Sequence, residues 1–197
     1  MKRLGTLGIV GLLLLLGMYG CNSYNGLVAK DNNVEQLWAN VQTQYQRRAD
    51  LINNLVKTVQ GAADFERGTL TDVIEARAKA TSIQLSADEL TPENMEKFQA
   101  AQDQLSGTLS RLLVAVERYP DLKANQNFLE LQAQIEGTEN RIAVARNDFN
   151  AGIADYNLAV RSFPMNLMAG MFGFERKAPF AASEAAQEAP DVDFDFE

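Results

Sequence analysis

Apolar positions recur at steps of three and four from Val34 onward. Val34, Trp38, Val41, Tyr45, Ile52, Leu55 and Val59 fall on one stripe of an α-helix. The one step of seven skips a seam position, and Arg48 occupies it. Leu37 and Val56 widen the stripe beyond a two-helix seam, as the core of a bundle requires. Asp31 or Asn32 supplies the N-terminal cap. The spacing predicts a first helix over 31–60. Gly61 reads as a break. Phe65, Leu70, Val73, Ile74 and Arg77 then continue the helical period in a new phase. They predict a second helix over 64–82, opened by Asp64, either separate or joined to the first through a kink.

Leu85 to Thr91 reads as a loop. Thr91-Pro92-Glu93 is a helix start: a capping hydroxyl, proline in the first turn and an acid behind it. Met95, Phe98, Gln102, Leu105, Leu109, Leu112 and Val116 predict a third helix over 92–118. Tyr119-Pro120 ends it, because proline disfavours helical geometry in the residue before it. Asp121 caps a fourth helix over 121–162, whose stripe runs from Phe128 through Ile135, Ile142, Phe149 and Tyr156 to Phe163. So short a turn predicts that helices three and four are antiparallel neighbours. Gly137 and Gly152 lie inside the fourth helix. Each costs about 1 kcal/mol against alanine, so close helix contact is the expected reason for both.

Two terminal regions lie outside this pattern. Lys2 and Arg3 precede an uncharged apolar run from Leu4 to Gly20. As a transmembrane helix it is near the lower limit of about 17–25 residues, with its basic end cytoplasmic and the remainder of the chain outside. As a secretory signal it ends in Met18-Tyr19-Gly20-Cys21, which resembles a bacterial lipoprotein cleavage box with Cys21 as the acylated residue. Gly20 fits that box; Met18 and Tyr19 depart from it. Both readings place the body outside the cytoplasm and on the membrane, joined by a connector over 22–30 in which Tyr24 suits a membrane–water interface.

At the other end, 164–180 is an apolar extension. Phe163, Met165, Leu167, Met168, Met171, Phe172 and Phe174 are candidates for contact with a membrane or partner. The alternative is that Met165 to Phe174 folds back and caps the helices. In up-down order the fourth helix returns to the membrane side. Residues 181–197 carry six acids and no base, the composition of a disordered tail.

Charge and composition narrow the function. The net charge is −8, with 26 acids against 18 bases, so a nucleic-acid partner is not expected. There is no histidine and one cysteine, which removes the commonest general base, the commonest transition-metal ligand and any intrachain disulfide. No cofactor and no metal are expected. Glu66, Glu75, Glu130, Glu136 and Glu139 invite comparison with a di-iron bundle, but such sites also use histidine. Arg48 has two readings: a recognition arginine for a carboxylate or phosphate, or one half of a structural ion pair with Glu139 or Asp72.

Several segments are similar to the bacterial LemA family. They are Trp38 with Tyr45-Gln46-Arg47-Arg48-Ala49-Asp50-Leu51-Ile52 and Asn54-Leu55-Val56, and Tyr119-Pro120-Asp121-Leu122-Lys123-Ala124-Asn125 with Asn127-Phe128. Thr138-Glu139-Asn140-Arg141-Ile142, Phe149-Asn150, Tyr156-Asn157, Pro164 and Gly173-Phe174 continue the resemblance. It covers about 24–180 in collinear order. Asn53 stands where the family usually has proline, and Cys21 departs from the plain anchor of many members. The resemblance implies an all-α, antiparallel four-helix bundle beyond one N-terminal anchor, with no established enzymatic activity. The expectation is a membrane-anchored, extracytoplasmic scaffold or adaptor of the cell envelope. The alternatives are a self-assembling structural protein of the membrane surface and, as a minor one, an enzyme of unknown type.

Overall fold

The computed structural model describes residues 2–61 and 65–181; within α1, the side chains of residues 2–10, 12–17, 19 and 21 lie outside the described set. The described residues are all-helical, with no strand among them. The elements are α1 (Lys2–Gln60), α2 (Arg67–Ser82), α3 (Pro92–Val116), α4 (Pro120–Lys123), α5 (Gln126–Arg161) and α6 (Met165–Phe172). A 3-10 turn at Ala87–Glu89 lies between α2 and α3.

Helix boundaries differ from the sequence expectation in four places. First, α1 runs unbroken for 59 residues, about 88 Å at 1.5 Å per residue. The expected connector over 22–30 is helical, and neither Asp31 nor Asn32 is a cap. Asn22, Ser23, Asn25 and Gly26 are weak helix formers, but packing outweighs propensity here, since Ser23 and Leu27 are buried. Second, α2 begins at Arg67 with Glu66 at the cap position; Asp64 lies outside the described residues. Third, the expected fourth helix is two helices. Asn125 adopts extended geometry and accepts a hydrogen bond from Phe128 N at 3.2 Å, so the cap belongs to Asn125 rather than Asp121. Fourth, the end of α3 tightens into i→i+3 bonds, with Glu117 N donating to Val114 O and Tyr119 N to Val116 O. This closes α3 at Val116.

The closest helix pairs are α1 with α5 and α2 with α3. The expected pairing of helices three and four is therefore not the tightest contact. Lys30 meets Asp155 and Arg48 meets Glu139, so α1 and α5 run antiparallel. Asp72 faces Arg111 and Lys79 faces Gln104, so α2 and α3 do too. Helices α1 and α2 are separate, joined through 61–66. The expected reason for the two glycines holds for one of them. A Cβ on Gly152 would overlap Leu37 Cδ1, whereas a Cβ on Gly137 would meet nothing within 4 Å.

Two apolar clusters fill the interior. One, far from the N-terminus, joins Ile52, Leu55 and Val59 to Val73, Leu105, Leu112 and Ile135. The other joins Leu27, Val34, Trp38 and Tyr45 to Phe98, Ile142, Phe149, Tyr156 and Phe180. The Trp38 indole N–H donates to Leu85 O at 2.7 Å, fixing the α2–α3 connection on α1.

Candidate functional site

Between the two clusters lies a buried polar layer. Arg48 on α1 is 3% exposed. Its Nη1 donates to Glu139 Oε1 on α5 and to Ser106 Oγ on α3, each at 3.0 Å. Its Nη2 donates to Gln102 Oε1 at 2.5 Å. Gln102 in turn donates through Nε2 to Ala80 O on α2 at 3.3 Å. Arg48 and Gln102 thus tie together all four long helices. Each contributing stripe breaks its apolar pattern at this level: Arg48 lies between Tyr45 and Ile52, Gln102 between Phe98 and Leu105, Thr138 and Glu139 between Ile135 and Ile142.

The guanidinium lies 5.0 Å from the Tyr45 ring centroid. Burial pushes the Tyr45 hydroxyl up, against the opposing pull of Arg146 and Arg48. Arg48 Nε is buried with no partner among the described residues. Both Nη atoms find their acceptors within the chain. Asp72 pairs with Arg111 instead, at 4.0 Å. Beside the layer, Gln42, Gln46, Arg47, Asp50, Thr81 and Gln84 line a cleft of about 870 Å³.

The carboxylates raised by the di-iron comparison are dispersed. Glu66 pairs with Arg118 at 3.0 Å, Glu139 with Arg48, and Glu130 and Glu136 accept from glutamines one turn earlier. Among the described residues no group of three or more metal-ligating side chains gathers.

The C-terminal stretch divides. Met165, Met168, Ala169 and Phe174 pack inward, while Phe163, Leu167, Met171 and Phe172 are exposed. α6 rests on α1 close to the end of the Leu4–Gly20 run. Met168 Cε lies 3.5 Å from the place of a Cβ on Gly20, and the Tyr24 ring lies 4.8 Å from Phe172 and 5.9 Å from Phe174. Cys21 is on α1, and its side chain lies outside the described residues. So do residues 182–197 of the expected acidic tail.

Sequence reasoning missed the strap over 175–181. Asn157 Nδ2 donates to Lys177 O at 2.8 Å while Lys177 N donates back to Asn157 Oδ1 at 3.0 Å. Asn150 makes the same two-way pairing with Phe180, at 3.3 and 2.9 Å. Tyr156 OH donates to Glu175 O at 2.9 Å, and Ala178 N donates to Leu90 O at 2.8 Å. Lys177 Nζ reaches Asp31 at 2.6 Å. Burial pushes the Tyr156 hydroxyl up to about 12, helped by Asp31, Asp88 and Glu175. The Phe180 ring enters the core against Trp38, Phe98 and Phe149, and the Arg146 guanidinium covers it at 4.5 Å. Asn150 and Asn157 stand seven residues apart beside buried aromatics, a regularity that could have marked them.

Among the described residues no helix is long and apolar enough to cross a membrane. A sequence model described as the LemA family matches residues 37–194. Magnetosome protein MamQ 2 of Paramagnetospirillum magneticum is 25% identical over 179 residues, covering 82% of this chain and 66% of that protein. The chain therefore spans just under two thirds of that relative's length. Magnetosome protein MamQ of Magnetospirillum gryphiswaldense is 25% identical over 193 residues, covering 89% and 70%. Protein LemA of Metamycoplasma hominis is 26% identical over 169 residues, covering 86% and 73%. None of these names is the name of an enzyme.

Proposed function

This chain belongs to the LemA family, and from that premise we propose that it is a membrane-anchored, extracytoplasmic four-helix scaffold that binds a protein partner without catalysis. The continuity of α1 carries this reading. One helix runs from Lys2 through the apolar segment into the core without a hinge. With the Leu4–Gly20 helix as the anchor, a bundle so joined is held at a fixed height and angle; a lipid on Cys21 would fix its distance from the membrane alone. Lys2 and Arg3 ahead of the run favour an outward-facing body.

The outer face of α5 is the partner-binding face. Gly137, Val144, Ala151 and Leu158 are exposed at successive seven-residue steps, the spacing with which one helix meets another. Val144 is 60% and Leu158 66% exposed. Among the described residues Gly137 has no neighbour that needs its smallness, so an approaching helix gives it a reason. The alternative occupant of this face is a second copy, which makes the protein a self-assembling structural element.

Cross-linking with mass spectrometry on intact cells at native expression tests this. Recurrent cross-links from α5 to one heterologous protein support the adaptor. Cross-links from α5 only to other copies of the chain support self-assembly and overturn the adaptor.

A further inference from the structure

We propose that α6 is a second membrane contact: a short interfacial helix that lies in the headgroup layer of the bilayer through which α1 is anchored. The inference rests on the anchored reading above and adds a lipid-binding surface to it.

The first support is composition by face. Apart from Asn166, every residue of α6 is apolar or glycine. Its inward face, Met165, Met168 and Ala169, packs on the body of the protein. Its outward face carries Leu167 at 59% and Met171 at 76% exposed, and Phe163, just ahead of the helix, is 81% exposed. A helix that is apolar all round is normally buried on every side. This one is covered on one side only.

The second support is level. α6 meets α1 at Gly20 and Tyr24, and exposed Met18 lies on α1 just beyond Gly20. The run Leu4–Gly20 is about 25 Å long, some 5 Å less than a typical hydrocarbon core of about 30 Å. The next residues of α1 therefore sit at the boundary of the hydrocarbon, and α6 sits beside them. Acylation of Cys21 would remove residues 1–20 but set the boundary at Cys21, with Tyr24 still holding α6 beside it.

The third support is charge. Between Arg3 and Lys30 α1 carries no charged residue, and neither does 162–174. The two uncharged stretches meet at Gly20 and Tyr24. Charges resume just outside them, at Lys30, Asp31, Arg161, Glu175 and Arg176. Arg161 and Arg176 flank α6 in the sequence and Glu175 stands beside them, so the margin is charged with both signs, as the water-facing edge of an interfacial helix is. A protein partner would account for an apolar patch, but not for its alignment with the end of the apolar run.

The test uses the full chain reconstituted in phosphatidylethanolamine–phosphatidylglycerol vesicles, with and without lipids brominated high on the acyl chain. Tryptophan is introduced by Leu167→Trp or Met171→Trp, and by Val114→Trp at the far end as the control. Trp38 is the one native tryptophan and lies in the core, so it gives a constant background. All three sites are exposed and tolerate a larger side chain. Brominated lipid should quench the emission at 167 and 171 about two-fold or more and leave that at 114 unchanged. Vesicle flotation is read in parallel. Flotation without quenching at 167 and 171 overturns the inference and leaves the anchor standing. Failure to float overturns both. Emission at 171 that shifts with protein-to-lipid ratio, without bromine quenching, identifies a second copy on this face and also overturns the inference.

Discussion

Arg48 Nη2 donates to Gln102 Oε1 at 2.5 Å, and through this pair α1 reaches both α3 and α2. The contact lies where the apolar interior is interrupted, and the same guanidinium reaches α5 through Glu139. A sliding of any helix by one turn would leave a buried guanidinium without acceptors. The layer therefore sets helix register, at a cost in desolvation that an apolar layer would not incur.

Arg48→Ala should destabilise the fold by about 3 kcal/mol, because it orphans Gln102 and opens a cavity. Glu139→Gln should cost about 1 kcal/mol, since that side chain is 43% exposed and the amide still accepts. Urea unfolding of the full chain in detergent, followed by far-UV circular dichroism, measures both. Equal costs would contradict a layer held chiefly from the arginine side.

Two glycines on α5 should respond in opposite directions. Gly152→Ala forces a methyl onto Leu37 and should cost about 1–3 kcal/mol. Gly137→Ala meets open space in a helix interior and should stabilise by about 0.5–1 kcal/mol. The same unfolding experiment separates them. If both destabilise, Gly137 has a role within the chain that its open surroundings do not reveal.

The strap should loosen in steps. Asn157→Ala removes a donor and an acceptor at once and should cost about 1–2 kcal/mol. Phe180→Ala empties an aromatic site in the core and should cost about 3–5 kcal/mol. Limited proteolysis checks the location: cleavage near 175–181 should accelerate in Asn157→Ala before the helices become sensitive. Uniform sensitivity would mean that the strap and helices open together.

Alkaline pH should release the strap through Tyr156. The neutral hydroxyl donates to Glu175 O, and the folded protein retains this proton up to about 12. The unfolded chain loses it near 10. Between these values the folded state binds more protons than the unfolded one, so stability falls as pH rises through that window. Below about 10 the contribution is fully present. Tyr156→Phe should reduce the slope, leaving the part that buried Tyr45 contributes, while lowering stability at neutral pH by about 1 kcal/mol through the lost hydrogen bond. Denaturant midpoints from pH 8 to 12 read the difference, and an unchanged slope would assign it to other groups.

The long helices were legible because their apolar steps are regular. Arg48 stood out because it occupies a seam position, and its alternative partners Glu139 and Asp72 could be named but not separated. Three features were not legible, each for a physical reason. The continuity of α1 through Asn22–Gly26 depends on burial of Ser23 and Leu27, which propensity does not encode. The Asn125 cap was hidden behind Pro120-Asp121, a helix start that yields only one turn. The strap has no period to detect, and its anchors lie 20 and 30 residues away in the chain. The inward and outward halves of α6 were likewise invisible until its contacts with Gly20 and Tyr24 fixed its orientation.

The most direct test of an anchored, outward-facing bundle is impermeant maleimide labelling of Gln60→Cys in intact spheroplasts. Gln60 is exposed at the end of α1, about 60 Å along the helix from Gly20. The unsubstituted chain, which keeps Cys21, sets the background. The account predicts labelling before lysis as complete as after it, on protein that stays with the membranes through an alkaline wash. Labelling only after lysis, or loss of the labelled protein in the wash, would contradict it.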